Sequence, residues 1–517
     1  MLVLALALAA CAPAVAARTP VDITQERRIR IYDGGNGMQA CLFIDESGNL
    51  WGTGAEIWHD FNLYENAQEP AAAEGGNVSY QKPRLLARDV CAVDYDSDSY
   101  LILCNDGRLY ICDSALSNNP YYAAGVPWQA DKALVNPQNQ LAEGFPLALE
   151  NVAAISHNSG LSRMHILLAD GTLLCLRYSD SDSLPVYEGL LGRQFSVIDT
   201  AVVDFGSMYY IKSDGSLWIT ESYNGYGTNA DGTYDELSRE EALKYGGADS
   251  VSPRKVMENV KSCVFNSASS TNGGSTVLAV TESGELFTWG NNEHGQCGNG
   301  SCGDGYDETR DLVLTPTKIM DNVASVYGGN DCCFALTQNG ELYGWGSNNN
   351  GCLGNGEYNP DYATYMGTGL VECSPRLIMS DVKSFTSYLL VFAAIKNDGS
   401  LWTWGNDFHG QCGDGGSATP WQDLRNGVTR LIKPQPVATK ILENVRCVSE
   451  PMGLGTRLFA VTQDGTLYGW GDNPFYASYV DYTPQKDDFV ANTPIPSPDL
   501  KLINADGITV FAAADGE

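Results

Sequence analysis

The sequence has little with which to do chemistry. Only five of its 517 residues are histidine. There is no Cys-x-x-Cys pair and no His/Cys spacing that suits zinc, and no HExxH, GxSxG or phosphate loop occurs. His59, His157 and His165 have no Ser or Cys context that suggests a catalytic triad. Positive charge is scarce too. Thirty-one Lys and Arg stand against 63 Asp and Glu, a formal net charge of −32. That balance excludes nucleic acid and anionic membrane surfaces as partners, because both need a Lys/Arg footprint. It leaves a solvated surface, a basic partner or a cation as explanations.

A spanning segment is also missing. The one apolar run, "MLVLALALAACAPAVAA" at 1–17, is shorter than the ~20 residues a membrane helix needs. It reads as an export signal. "LAAC" resembles a lipobox, which would make Cys11 a lipidation site, whereas Ala14-Val15-Ala16 fits ordinary signal cleavage. No Lys or Arg precedes the run, so a start further upstream is a third reading. Fifteen cysteines become fourteen without Cys11, and an even count in an exported chain invites disulfides. Their placement argues for buried free thiols instead. Cys297 and Cys412 share one slot of a repeated phrase, Cys352 sits one slot earlier, and Cys332-Cys333 would face opposite sides of a strand.

Acidic runs offer no complete cation loop. "DYDSDS" at 94–99 would put Ser99 at position six and Asn105 at position twelve of a calcium loop, which requires Gly and Glu there. "NADGTYDE" at 229–236 and "CGDGYDE" at 302–308 are weak calcium candidates or solvated loop acids. "DELSREEALKY" at 235–245 reads as a short amphipathic helix. No cofactor or metal is expected.

What the chain has in abundance is repetition. "GELFTWGNNEHGQCGNG" at 284–300 returns as "GELYGWGSNNNGCLGNG" at 340–356 and "GSLWTWGNDFHGQCGDG" at 399–415. His294 and His409 share one slot of it and read as scaffold. Ahead of each copy runs an apolar alternation and a turn of the "QNG" or "NDG" type, a β-hairpin signature. The hairpin occurs eight times, centred on Gly48, Gly107, Gly171, Gly215, Gly284, Gly340, Gly399 and Gly465. A preceding strand ("VASVY") and a following one that opens near Pro ("LTPTKIM") complete a unit of four strands, A to D. Such units bury their faces by stacking round a ring. The expected fold is all-β: a single β-propeller over 25–517 of seven to eight four-stranded blades. Leu286, Leu342, Leu401 and Leu467, with Trp289, Trp345, Trp404 and Trp470, are expected between blades.

The pattern V-x-S-V-x-x-G … A-L-T-x-[DN]-G-x-L-Y-x-W-G-x-N-x-x-G-Q resembles the repeat of the regulator-of-chromosome-condensation family. Residues 323–351 carry it best, and 259–300, 381–415 and 444–471 carry it well. Before residue 250 the hairpins remain but the WG and GQ portion fades, with "NGYGTN" at 224–229 a worn copy. The resemblance implies a β-propeller, typically of seven blades. "GITVFAAADG" at 507–516 aligns with strand A of a ninth unit. Either it closes the ring on the first blade, or the unit is cut short; "IRIYDGG" already offers the first blade a strand A.

A meander of four strands sends the B–C turns and D–A links to one face, and the A–B and C–D loops to the other. The first set is short. The C–D loops are long, at 52–80, 113–140, 221–252, 291–314, 347–372, 406–434 and 472–492, and binding residues gather on such loops. They are rich in aromatic anchors. Trp58, Tyr121, Tyr122 and Trp128 lie on the early loops. Tyr226, Tyr306, Tyr358, Tyr362 and Tyr365 follow, then Trp421 and Tyr476. The expectation is an exported, monomeric scaffold of the bacterial envelope that binds a protein through this face and catalyses nothing, with any membrane contact only through Cys11. It resembles the secreted bacterial propellers of the family that inhibit β-lactamases. A propeller enzyme using paired carboxylates at the channel is the alternative. Guanine-nucleotide exchange is opposed by the export signal and the charge.

Overall fold

Period-two alternation and tight glycine turns give strands throughout. The computed structural model describes residues 30–33, 40–54, 84–96, 99–113, 147–158, 163–176, 185–190, 194–206, 208–219, 253–267, 275–302, 312–329, 331–349, 351–358, 370–388, 390–407, 410–415, 420–423, 428–431, 434–449, 457–472 and 490–501. Among them there is no helix, and the strands form eight sheets of a shared plan plus one two-stranded hairpin. Blade 6 is representative. Strand A is Val323–Gly329, B is Cys332–Thr337, C is Leu342–Ser347 and D is Val371–Met379, each antiparallel to the next.

The blades span 30–87, 90–149, 152–199, 202–257, 260–320, 323–379, 382–442 and 445–501. All eight glycine hairpins are B–C turns, with φ between +77° and +86° at their glycines, a backbone region that favours Gly. Blade 3 adds Val186–Glu188 as a fifth strand outside its strand D, Gln194–Asp199.

The ring closes on eight. Blade 8 packs on blade 1 through an edge-to-face pair of Phe459 and Phe43, ring centroids 5.8 Å apart, and an ion pair of Arg446 with Glu46. Blade 1 has its own strand A, Arg30–Asp33, paired to Ala40–Ile44. Among the described residues each blade takes its strands A to D from one stretch of the chain. Residues 507–516 lie outside the described residues.

The core sits in the seams. Trp345 packs with Leu278, Val280 and Leu286 of blade 5, whereas Leu342 packs with Phe385, Phe392 and Trp404 of blade 7. Trp289 and Trp470 likewise face the preceding blade, and Leu401 the following one. Trp345, Trp404 and Trp470 are fully buried, and each such side chain contributes on the order of 2–3 kcal/mol.

The outer strands are longer than the sequence pattern suggests. "LTPTKIM" lies within Leu312–Met320, so Pro316 is inside strand D rather than at its start. Opposite each WG tryptophan strand D bulges. Gly344 pairs with Arg376 and Gly346 with Glu372, leaving Cys373–Pro375 opposite Trp345. The same happens at 314–316, 436–438 and 492–494. A proline within each bulge removes a donor from an open sheet edge, which blunts pairing with another chain.

Candidate binding face

The two faces of the ring are built differently. On the turn face each blade is stitched to the next by backbone alone. The N–H of Val323, the first residue of blade 6, donates to the carbonyl of the turn glycine Gly284 in blade 5 at 2.8 Å. The bond recurs as Val90 to Gly48, Val152 to Gly107, Val202 to Gly171, Val260 to Gly215, Val382 to Gly340 and Val445 to Gly399. It is made possible by one residue at positive φ in each D–A link: Asp89, Asn151, Ala201, Asn259, Asn322, Asp381 and Asn444. Six of the seven are Asn or Asp, the side chains that tolerate this region best. In every case that residue's carbonyl also accepts an N–H from the residue just past strand B of its own following blade, as Asn322 does from Gln338. This face carries no long loop.

The opposite face is where the repeated phrase lies. Counting the turn glycine as slot 1, slot 9 folds the loop back on itself. Asn292, Asn348 and Asp407 each accept the slot 14 N–H of Cys297, Leu353 and Cys412, at 2.9, 2.9 and 2.8 Å. The folded loop then grips the next blade. The slot 13 carbonyls of Gln296, Cys352 and Gln411 accept the indole N–H of Trp345, Trp404 and Trp470 at 2.7, 2.7 and 2.8 Å. Slot 15 must be glycine for this approach. A Cβ on Gly298 would stand 2.8 Å from Trp345 Nε1, and on Gly413 2.7 Å from Trp470 Cδ1. Slot 17 ends the latch, Gly300 and Gly356 donating to the bulge carbonyls of Cys373 and Pro436.

Among the described residues the first tryptophan of the series has no such grip. Trp289 is 3% exposed, yet its Nε1 has no hydrogen-bond partner among the described residues. The blade before it is the one whose phrase has decayed to "NGYGTN".

One expectation about cysteine needs correction. Cys302 and Cys373 form a disulfide, with Cα atoms 5.5 Å apart. It joins the loop leaving the latch of blade 5 to the bulge of blade 6, and it escaped the sequence because the partners are 71 residues apart and belong to different repeats. Ten other described cysteines are free thiols, eight of them buried. Burial pushes the thiols of Cys104 and Cys333 up to about 12 and Cys447 up to about 11, and holds Cys263, Cys297 and Cys332 well above the usual range. Those thiols stay protonated near neutrality and are poor nucleophiles.

Of the aromatic candidates, Tyr358 is described in full. It is 40% exposed and follows Glu357, whose carbonyl accepts from Asn348 Nδ2 at 3.0 Å. Trp421 lies in a hairpin that rises within the C–D connection of blade 7, Pro420–Asp423 against Val428–Leu431, in register with Arg430. Trp58, Tyr121, Tyr122, Trp128, Tyr226, Tyr306, Tyr362, Tyr365 and Tyr476 lie outside the described residues, as do Cys11, His409, the 229–236 acids and the 235–245 segment. His294 is in the latch, its N–H donating to Gln296 Oε1 at 2.7 Å.

The Regulator of chromosome condensation (RCC1) repeat model matches residues 283–336 and 339–387, and a second model of that repeat matches 323–352. The Ultraviolet-B receptor UVR8 of Arabidopsis thaliana is 33% identical over 214 residues, 39% of this chain and 40% of the receptor. The human E3 ubiquitin-protein ligase HERC2 is 25% identical over 271 residues, 52% of this chain and 5% of the ligase. The chain thus spans well under half the length of these curated relatives. The solved structure of Prp20p from Saccharomyces cerevisiae, described with its binding properties to Gsp1p and histones, is 16% identical. It covers 87% of each chain with a TM-score of 0.45. The latched phrase and the four-stranded blades thus coincide, over residues 283–387, with matches to the RCC1 repeat, which this stretch of the chain resembles.

Proposed function

We propose that the protein is an exported bacterial scaffold that binds a protein partner through its C–D loop face and has no catalytic role. The observation that carries this reading is the contrast between the faces. The turn face is consumed by seven copies of one backbone bond, and sequence that does not repeat is gathered on the other side. Buried, protonated thiols and latch residues account for much of the reactive chemistry among the described residues. Export rests on the apolar run at 1–17, with a lipid on Cys11 or ordinary cleavage at Ala14-Val15-Ala16 as its two forms, and a disulfide between blades suits an oxidising compartment.

The test is capture from native envelope and secreted extract by the tagged full chain, beside a variant with Tyr358, Tyr362 and Tyr365 changed to Ala. A protein retained by the first and lost from the second supports the reading. Depletion of a glycan or small molecule, with no protein retained, would move the enzyme alternative to the front.

A further inference from the structure

Repetition supplies an internal control: a residue that recurs at its slot serves the scaffold, and one that departs from its slot needs another reason. The buried cysteines divide on this test. Cys297 and Cys412 share slot 14, and each thiol makes the same bond, to Asn291 O at 3.5 Å and to Asn406 O at 3.4 Å. They are parts of the latch. Cys352 is different. It fills slot 13, which the other complete copies give to Gln296 and Gln411. Gln296 braces its loop by accepting the His294 N–H on Oε1 at 2.7 Å, and a cysteine at that slot has no amide with which to do so.

A second exception stands beside the first. The strand B residue that pairs with the WG glycine is Thr276 in blade 5, Val391 in blade 7 and Arg457 in blade 8. In blade 6 it is Cys332, opposite Gly346. Blade 6 thus carries cysteine at both places, and blades 5 and 7 carry it at neither. The two side chains meet. Each is 1% exposed, both pack in the seam with Phe392 and Trp404, and they are hydrogen-bonded to each other. Cys333, next in the chain, serves the opposite seam, where Asn266 Nδ2 donates to its sulfur at 3.3 Å.

We propose that Cys332 and Cys352 are a second disulfide site, which closes as the chain folds in the presence of a disulfide oxidant and fastens the latch of blade 6 to its own strand B. Sulfur atoms already in contact have only to close to the ~2.05 Å of an S–S bond. The chemistry is thiol–disulfide exchange. One cysteine attacks the oxidant's disulfide as a thiolate, giving a mixed disulfide and a first released thiol. The other cysteine then displaces the oxidant's second sulfur. Two S–H bonds are lost and one S–S bond forms, and the oxidant takes up two electrons and two protons to leave as two thiols. Burial sets the timing. A closed latch keeps the Cys332 thiol protonated and inaccessible, so the exchange belongs to folding, before the loop covers the pair. The Cys302–Cys373 bridge needs the same oxidant, and the proposal rests on the exported reading for its compartment but not for its geometry. Cys352 O receives the Trp404 indole, and Tyr358 follows in the same loop. The bond therefore holds the seam of blades 6 and 7 and the start of an exposed loop in one piece.

The test is disulfide mapping of the full chain, refolded from denaturant with oxidised and reduced glutathione. Free thiols are alkylated under denaturing conditions. A glutamate-specific protease then cuts after Glu341 and Glu357, which puts the two cysteines on different peptides. The peptides should run as one species, two hydrogen atoms lighter than their sum, that separates on reduction. It should be lost in Cys332→Thr and in Cys352→Gln, which install what blade 5 carries at Thr276 and Gln296, and kept in Cys333→Val, which installs its Val277. Amide exchange at Leu353, whose N–H bonds to Asn348, should be about ten-fold slower in the oxidised native chain than in Cys332→Thr. Cys332 and Cys352 recovered alkylated while Cys302 and Cys373 are joined overturns the proposal and leaves the exported reading intact. Cys352 joined to any other cysteine also overturns it. All four alkylated overturns both bridges and removes the support that a disulfide lends to an oxidising compartment. Equal exchange at Leu353 overturns the fastening of the latch.

Discussion

The seams of the ring are of two kinds. From blade 5 to blade 8 three successive seams are closed by the same device, a folded loop that receives the next tryptophan. In the earlier part of the ring the ties are individual. Asp199 of blade 3 accepts from Tyr210 OH at 2.6 Å and Lys212 Nζ at 2.8 Å of blade 4, and the closing seam uses Arg446 and Glu46. Between the two kinds lies the seam of blades 4 and 5, where Trp289 fills its place in the core but makes no bond among the described residues. Packing therefore outlasts the polar latch: the tryptophan remains buried in a seam where the loop that would receive it has lost its sequence.

The sharpest way to break the contrast is to cut the covalent seam. Replacing Cys302 and Cys373 by Ser should cost about 4 kcal/mol, since the bridge closes a loop of 71 residues. Urea unfolding of the variant against the native chain measures it, and under reductant the two should match. Next is slot 15. Gly298→Ala forces a Cβ against Trp345 at a φ of +62°, and steric crowding with the left-handed backbone should together cost about 3 kcal/mol. Gly300→Ala, whose Cβ would lie 3.9 Å from its nearest neighbour, Ser374 Oγ, should show only the backbone part, about 1 kcal/mol. Trp345→Phe leaves Gln296 O without its donor, and should exceed Trp289→Phe by about 1 kcal/mol in the same measurement. At the small end, Ala201 is the one link residue at positive φ that is neither Asn nor Asp. Ala201→Asn should raise stability by about 0.5–1 kcal/mol.

The individual ties should also respond to acid where the latches built on Asn292 and Asn348 do not. Burial alone would raise the Asp199 carboxyl, but hydrogen bonds from Lys212, Tyr210 and the Thr200 N–H outweigh it and hold the group below the usual range. Its contribution is then complete above the ordinary carboxylate value and fades as pH falls through the lowered one. Asp199→Asn should flatten the stability profile on the acid side and leave the cysteine seam unchanged.

Much of the architecture was legible in the sequence because a turn with positive φ restricts the residue type. The eight glycines therefore announce eight hairpins. The count of blades was not legible. It depends on whether Phe43 meets Phe459, a contact between residues with no common repeat context. The disulfide and the exposed Val437 were hidden for a related reason. Cys373 and Val437 lie in strand D, where the bulge shifts the period by two residues and an alternation-based reading loses the register. Of the candidate face, Tyr358 could be read from its place just past the repeated phrase, whereas the fold of that phrase into a latch depends on Trp345, 49 residues beyond Gln296, and is recognisable only once neighbouring blades are laid side by side.

The matched repeats do not coincide with blades. The first, 283–336, starts at the B–C turn of blade 5 and ends in strand B of blade 6. A genetic duplication of that unit copies the loop of one seam, 291–300, together with the tryptophan of the seam before it, Trp289, so that each copy offers a loop to the next tryptophan and a tryptophan to the loop before. Rings of this kind can gain or lose members by recombination between repeats, and every junction so made arrives with its own fastening already encoded.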